Sequence, residues 1–318
     1  MPHVGVDIGG TKIKVGIADS DGRIIRQNTI DTQPARSSHA IIDSILIAID
    51  DLLHHSSMTR CDVESIGLGV PGTAEAASGV VVYAPNLDWK NVKIVGHIRN
   101  LYDIPVYLVQ DTRAAAWAEY LIGTGRGLRS VAAVTLGTGI GCGLVLDGKI
   151  YHGALNTAGE FGHQIVNPGG VQCNCGRRGC LEAYAGGLGL LREAKQAIPA
   201  LGELLGKMEP EIEVKDVFHL ADQGNPEARL LIERTVRYIG MGLVNLINLC
   251  SVELIALSGG ISNASPALLL DPLKQFVREN AYVAIADRVI VCNSALGKDA
   301  PLAGAALLNR NGVGWHKN

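Results

Sequence analysis

HVGVDIGGTKIKVGIAD (3–19) is an apolar run, a tight turn and a second apolar run, and VAAVTLGTGIGCGLVLD (131–147) repeats that shape 128 residues later. Aliphatic and β-branched residues interrupted by Gly-Gly-Thr or Gly-Thr-Gly read as two strands joined by a turn. At this shift Gly9 falls on Gly137, Ile17 on Val145 and Asp19 on Asp147. A repeat of this kind predicts two similar domains.

Outward from the two hairpins, strand and helix signals alternate. Residues 41–55 have helical periodicity, 63–72 and 104–111 read as short buried strands ending in polar loops, and 112–122 read as a helix. Two long helical stretches (182–198 and 228–250), a strand with a glycine turn (252–262) and a closing helix (300–309) complete the chain. This alternation predicts α/β architecture. The length of 318 residues suits two domains.

Composition narrows the function classes. The 28 Lys+Arg against 31 Asp+Glu give a net charge of −3, and no basic run exceeds the pair Arg177 and Arg178, so neither nucleic acid nor an anionic membrane is an expected partner. No apolar stretch approaches the 18 residues or more of a spanning helix, and the N-terminus shows no charged region or cleavage site, which predicts a cytoplasmic protein. Three of the seven cysteines crowd into residues 173–180. In a reducing compartment such a cluster points to metal before disulfide.

Three glycine turns follow apolar strands: D-I-G-G-T-K (7–12), L-G-T-G-I-G (136–141) and L-S-G-G-I-S (257–262). Without a Cβ the backbone can approach an anion and offer it N–H groups. Known nucleotide loops fail on spacing. Gly5 and Gly10 have the P-loop separation but Thr11 stands where Lys is required, and Cys142 interrupts the dinucleotide fingerprint begun at Gly137 and Gly139. Downstream, His163, nine residues, Cys173, one residue, Cys175, four residues and Cys180 offer four ligands on one short loop. That set suits closed tetrahedral coordination of a structural Zn²⁺, the alternative being free thiols beside a histidine.

In order and shape the three turns resemble the phosphate 1, phosphate 2 and adenosine motifs of the actin, hexokinase and Hsp70 superfamily. The resemblance implies two actin-like (ribonuclease H-like) ATPase domains with a hinged cleft that closes on ATP. Gly9, Gly10, Thr11 and Lys12 would meet its phosphates from one side, Gly137, Thr138 and Gly139 from the other, with Gly259 and Gly260 near the adenosine. Asp7 would hold Mg²⁺ through water; otherwise it caps its turn.

The zinc segment carries a closer resemblance. Gly162-His163, then Cys173-x-Cys175-Gly176-x-x-Gly179-Cys180-x-Glu182, is similar to the signature of the ROK family of sugar kinases and sugar-responsive repressors. In that family the zinc shapes the sugar pocket and its histidine also reaches a sugar hydroxyl. Glu160 and Glu182 match the carboxylates that accept bonds from hydroxyls near the anomeric carbon. The resemblance implies an ATP-dependent hexose kinase, glucokinase-like, acting on the 6-hydroxyl of glucose as a homo-oligomer, dimer or tetramer. N-acetylmannosamine, fructose, mannose or allose could replace glucose, and polyphosphate could replace ATP. The non-enzymatic alternative is a sugar sensor; the family's repressors carry an N-terminal helix-turn-helix, whereas this chain opens almost directly on its first strand. The small domain is expected at 1–115 with the closing helix (300–318), the large domain with the zinc loop at 116–299.

Phosphoryl transfer to an alcohol also needs a carboxylate that orients the hydroxyl and takes its proton. Asp111, ending an apolar strand, is the candidate; before T-R-A-A-A-W it could equally cap a helix. The family pattern N-D-x-N-x-A-A selects Asp111 as the base. Asn86, in P-N-L-D-W, and the backbone of Gly72 are nominated for sugar contact, an ordinary polar loop being the alternative for Asn86. Gln110 and Arg113 replace the two asparagines of the pattern, and the first of these contacts sugar in the family. Glutamine carries the same amide about 1.5 Å farther from the backbone, which changes the hydroxyls it can satisfy. The expected outcome for Gln110→Asn is a shift of about tenfold, or roughly 1.4 kcal/mol, in the kcat/KM ratio of glucose over its epimers. The double variant with Arg113→Asn belongs in the same assay, and unchanged ratios in both would mean the sugar is read elsewhere.

Overall fold

The computed structural model describes residues 1–198, 200–208 and 211–311; the part of the expected closing helix beyond 311 lies outside them. The strands are β1 (His3–Ile8), β2 (Lys12–Ala18), β3 (Ile24–Asp31), β4 (Ser65–Val70), β5 (Thr73–Glu75), β6 (Val80–Ala84), β7 (Trp89–Val92), β8 (Val106–Gln110), β9 (Val131–Leu136), β10 (Ile140–Leu146), β11 (Lys149–Ile150), β12 (Leu254–Ser258) and β13 (Ile290–Asn293). The helices are α1 (Ser38–His54), α2 (Ile94–Arg99), α3 (Asp111–Leu121), α4 (Glu182–Ala185), α5 (Gly187–Ala197), α6 (Leu201–Leu205), α7 (Val214–Asp222), α8 (Pro226–Cys250), α9 (Leu270–Asn280) and α10 (Ala300–Ala306).

The repeat read from the sequence is a repeat of structure. Adding 128 to the bounds of β1 and β2 gives those of β9 and β10. Both belong to five-stranded sheets of the same order, β3-β2-β1-β4-β8 and β11-β10-β9-β12-β13. In the first, β1 pairs antiparallel with β2 and parallel with β4, and β4 pairs parallel with β8. In the second, β12 is parallel to both β9 and β13. Strands β5, β6 and β7 form a small separate sheet.

The chain divides into two compact units. The first holds Met1–Arg129, Gly143–Ala158 and Lys298 onward; the second holds Ser130–Cys142 and Gly159–Gly297. The core of the first unit is aliphatic: Val4, Val6, Ile8, Ile13, Val15 and Ile17 of the hairpin meet the apolar face of α1. That helix starts where Ser37 accepts a bond from Ala40 N, and it buries Ile41, Ile45, Ile49 and Leu52 at helical spacing. In the second unit α8 begins at Asn225, whose side chain accepts from Ala228 N with Pro226 in the first turn, and it ends at Ser251 in the left-handed region. No helix among the described residues is long and apolar enough to cross a membrane.

Helix α10 is seated on glycines. A Cβ on Gly67 of β4 would lie 1.8 Å from Ala305 O, one on Gly5 of β1 would lie 2.4 Å from Leu302 O, and one on Gly304 would lie 1.7 Å from Ala114 O of α3. Trp117 of α3 adds a bond from Nε1 to Leu307 O at 2.9 Å. The short terminal helix therefore presses backbone to backbone on both β4 and α3, and α3 carries Asp111 in its first turn. Gly304→Ala is expected to cost about 3 kcal/mol through overpacking, which lowers Tm by roughly 6–12 °C for a unit of this size. Thermal unfolding checks it, and a variant as stable as the parent would show that α10 is free to shift.

Candidate active site

In the first unit the candidate residues gather at one edge of the sheet, because parallel strands deliver their carboxyl ends to the same side. The strand ends of β1, β4 and β8 run into Gly9-Gly10, Pro71-Gly72 and Asp111, with Val70 in register with Gln110. Open α/β sheets bind ligands at this edge. The first turn is closed by Gly9 N donating to Lys12 O at 2.9 Å, and Thr32 holds it from behind, its Oγ1 donating to Gly9 O at 2.7 Å and its N to Thr11 O at 3.0 Å. Asn86 lies over this turn: a Cβ on Gly10 would come within 3.2 Å of Asn86 Cβ. Gly72 (φ +85°) abuts the end of β6, where a Cβ would strike Tyr83 O at 2.2 Å. Thr11 and Lys12 have exposed side chains, and Lys12 forms an ion pair with Asp31 of β3.

Gln110 occupies the N-cap position of α3 without a side-chain capping bond, and Asp111 is the first helical residue. Its Oδ1 accepts from Thr112 N at 2.7 Å. Burial raises the Asp111 carboxyl to about 7, and the Asp7 charge adds to the shift. Burial likewise raises Asp7 to about 6, with Lys14 opposing and Asp299 assisting. Lys14 is engaged with Asp299, 3.1 Å from Nζ to Oδ1. Two buried carboxyls, one of which disfavours the ionisation of the other, make a place where a cation is welcome.

Arg113, almost wholly buried, is the residue whose role sequence reasoning missed. Its Nη2 donates to the carbonyls of Asn156 and Ala158, both at 2.9 Å. It thereby ties the first turn of α3 to the 153–158 loop, and burial together with its charge lowers His152 to about 4. Gln110 Oε1 is buried with no partner among the described residues, so Arg113 does not bond it. A buried acceptor left open next to the candidate base is a position a ligand donor would fill.

In the second unit, β9 and β12 are adjacent and parallel, so Gly137-Thr138-Gly139 and Gly259-Gly260 leave the same edge side by side. Gly259 (φ +93°) sits on the end of β9, where a Cβ would lie 2.4 Å from Leu136 O. The first of these turns is closed by Gly137 N donating to Gly139 O at 3.0 Å. Glu182 also reaches it, accepting from Ile140 N through Oε2 at 2.8 Å.

The ligand atoms of His163, Cys173, Cys175 and Cys180 all lie within 4.8 Å of one another. Cys175 Sγ is 3.7 Å from Cys180 Sγ, and Cys173 Sγ is 3.8 Å from His163 Nδ1. Those are close to the edges of a tetrahedron with metal–sulfur bonds of about 2.3 Å, which run about 3.6–3.8 Å. The other ring nitrogen, His163 Nε2, lies 3.8 Å from Glu160 Oε2. The loop takes this shape through Gly176 and Gly179, both at positive φ, and through Tyr184, whose hydroxyl accepts from Val171 N and Asn167 Nδ2. The glycines of the C-G-x-x-G-C pattern are thus required by the backbone of the knuckle.

Comparison with known proteins bears on the family and the fold. The ROK family model matches residues 3–311. The chain is 34% identical to the glucokinase of Halalkalibacterium halodurans over 311 residues, covering 96% of this chain and 94% of that protein. A ROK family glucokinase from Streptomyces griseus, solved in complex with glucose and AMPPNP, superposes with a TM-score of 0.80 at 34% identity, covering 97% of this chain and 99% of that one. A ROK family transcriptional regulator homologous to the E. coli MLC protein superposes with a TM-score of 0.86 at 26% identity, covering 98% of this chain and 78% of that one. The two like-ordered sheets are those of the actin-like ATPase fold shared by the sugar kinases among these neighbours. With a family match over nearly its whole length and relatives above 30% identity covering almost all of it, the chain belongs to the ROK family.

Proposed function

We propose that this protein is an ATP-dependent hexose kinase that phosphorylates the 6-hydroxyl of glucose. The observation that carries the reading is Asp111: a carboxyl at the end of a parallel strand, one oxygen held by Thr112 N, and a proton affinity raised to about 7 beside Asp7. A base poised near neutral pH is what abstraction of a hydroxyl proton requires. Asp111 takes the proton as the hydroxyl oxygen attacks the terminal phosphorus of the donor. Asn86, Gln110, the backbone of Gly72, Glu160, His163 and Glu182 serve the sugar, and the buried open oxygen of Gln110 supports a hydroxyl donor beside Asp111. The turns Gly9-Gly10-Thr11-Lys12 and Gly137-Thr138-Gly139 serve the phosphates, and Gly259-Gly260 the adenosine. Asp7 would hold Mg²⁺, whose charge neutralises the phosphates; this suits a carboxyl pair that lacks enough positive charge of its own. His163, Cys173, Cys175 and Cys180 would hold Zn²⁺, a structural ion that fixes the knuckle and leaves His163 Nε2 beside Glu160. A sugar-responsive regulator is the second reading, favoured by the TM-score of 0.86 to a family regulator. Hexose binding without phosphorylation would select it.

A coupled assay over a panel of hexoses, with ATP and with polyphosphate, tests the reading directly. Asp111→Asn is expected to lower kcat by roughly 10²- to 10⁴-fold, and near-normal turnover would return Asp111 to the role of a helix-start residue. In the parent, kcat/KM should fall as pH drops through about 7 toward 6, where Asp111 and then Asp7 take protons. The same raised proton affinity has an opposite consequence for stability. Between the ordinary aspartate pKa near 4 and about 7 the folded chain binds more protons than the unfolded one, so these groups contribute less stability as pH rises through that window. Asp111→Asn should therefore raise Tm of the ligand-free protein at pH 8, with the gain shrinking toward pH 4; thermal scans across pH check the sign. Metal analysis of protein purified without chelator should find one zinc per chain, and Cys175→Ala should lose it together with several degrees of Tm.

A further inference from the structure

The carboxylate of Glu182 stands at the junction of two parts of the second unit that are far apart in sequence. Cys180 closes the metal-ligand set, and Glu182, two residues on, opens α4. From there the chain lays three contacts on the turn that follows β9. Glu182 Oε2 accepts from Ile140 N at 2.8 Å, Gly187 N donates to Gly137 O at 2.8 Å, and Leu188 N donates to Thr138 O at 3.3 Å. The fit is close: a Cβ on Gly139 would lie 2.5 Å from Glu182 Oε2, and one on Gly187 would lie 2.9 Å from Gly137 O. Of the three contacts only the one from Glu182 is made by a side chain, and only it carries charge. Its two oxygens are not equivalent, for Oε1 lies 3.8 Å from that Cβ position on Gly139, whereas Oε2 is committed to the turn.

We infer that Glu182 is a positioning residue for the phosphate-binding turn 137–140, in addition to any contact it makes with the sugar. This rests on the kinase reading above. One oxygen holds the Ile140 N–H and with it the backbone that faces the nucleotide phosphates, while the other remains for a hydroxyl. A single carboxylate thereby joins the acceptor site to the donor site within one unit. Two consequences follow. Nucleotide affinity depends on Glu182 even with no sugar present, and sugar and nucleotide each alter the affinity for the other by the same factor.

The test is a titration of the full-length, metal-loaded protein with Mg²⁺ and AMPPNP in the absence of sugar, by calorimetry, on the parent, Glu182→Ala and Glu182→Gln. Glu182→Ala should weaken nucleotide binding about tenfold, since a charge-assisted bond to a backbone N–H is lost. Glu182→Gln keeps an acceptor for Ile140 N–H, so it should restore nucleotide affinity to within about threefold of the parent while glucose binding stays weakened. Hydrogen exchange at residues 137–141 should rise in Glu182→Ala and return in Glu182→Gln. Zinc content and Tm are measured on each variant. Should Glu182→Ala fail to fold, Glu182→Asp takes its place, because its carboxylate falls about 1.5 Å short of the turn. Parent-like nucleotide affinity in the truncated variant, or no recovery with glutamine in a folded, zinc-loaded protein, overturns the inference alone. A parent that binds no AMPPNP overturns the kinase reading and the inference with it.

Discussion

Parallel pairing of β1 with β4 and of β4 with β8 is the constraint on which the candidate site depends, since it sets Asp7 and Asp111 at one sheet edge, where the Asp7 charge adds to the hold that burial gives Asp111 on a proton. An antiparallel neighbour would send its carboxyl end the other way. With parallel pairing the glycine turn after β1, Gly72 after β4 and the start of α3 after β8 all leave the sheet on the same side. The second sheet repeats the device, bringing the turns after β9 and β12 together. Each unit thus gathers its polar groups at a sheet edge, with buried aliphatic residues behind them, Val4, Val6 and Ile8 in the first and Leu254, Ile255 and Leu257 in the second.

Close backbone contact keeps those edges in place. Gly5, Gly67 and Gly304 let α10 reach β1, β4 and α3 at distances no side chain would permit, so a helix near the end of the chain braces the one that presents Asp111. Arg113 also ties the same helix to two carbonyls of the 153–158 loop. An arginine this deeply buried is costly unless its donors are used, and two main-chain carbonyls engage its Nη2. Burial raises the proton affinities of Asp7 and Asp111, so the fold favours their uncharged forms.

The loop that carries His163 and the three cysteines and the glycine turn after β9 look like separate motifs in sequence but form one structure. Tyr184 holds the loop by accepting from Val171 N and Asn167 Nδ2 and stacks on Tyr238 of α8, ring centroids 4.5 Å apart. Glu182, two residues beyond Cys180, then fastens Ile140. The shape of the Cys/His loop and the path of the backbone at the turn are thereby part of the same hydrogen-bonded assembly.

The sequence by itself determined whatever depends on local pattern. Alternating apolar residues around short glycine turns specified both hairpins and their 128-residue offset, because strand and turn preferences act over a few residues. The spacing of His163, Cys173, Cys175 and Cys180 likewise pointed to a ligand set, since one short loop carries all four, and the fold gathers their ligand atoms within 4.8 Å of one another. Only the tertiary structure decided the contacts between segments remote in the chain: Glu182 with Ile140, Arg113 with Asn156 and Ala158, Gly304 with Ala114. Nothing in residue type distinguishes a glutamate that fastens a turn from one that meets only solvent or sugar. The difference arises when the sheet edges and helix starts are packed together, and that packing also left the Gln110 oxygen buried and open.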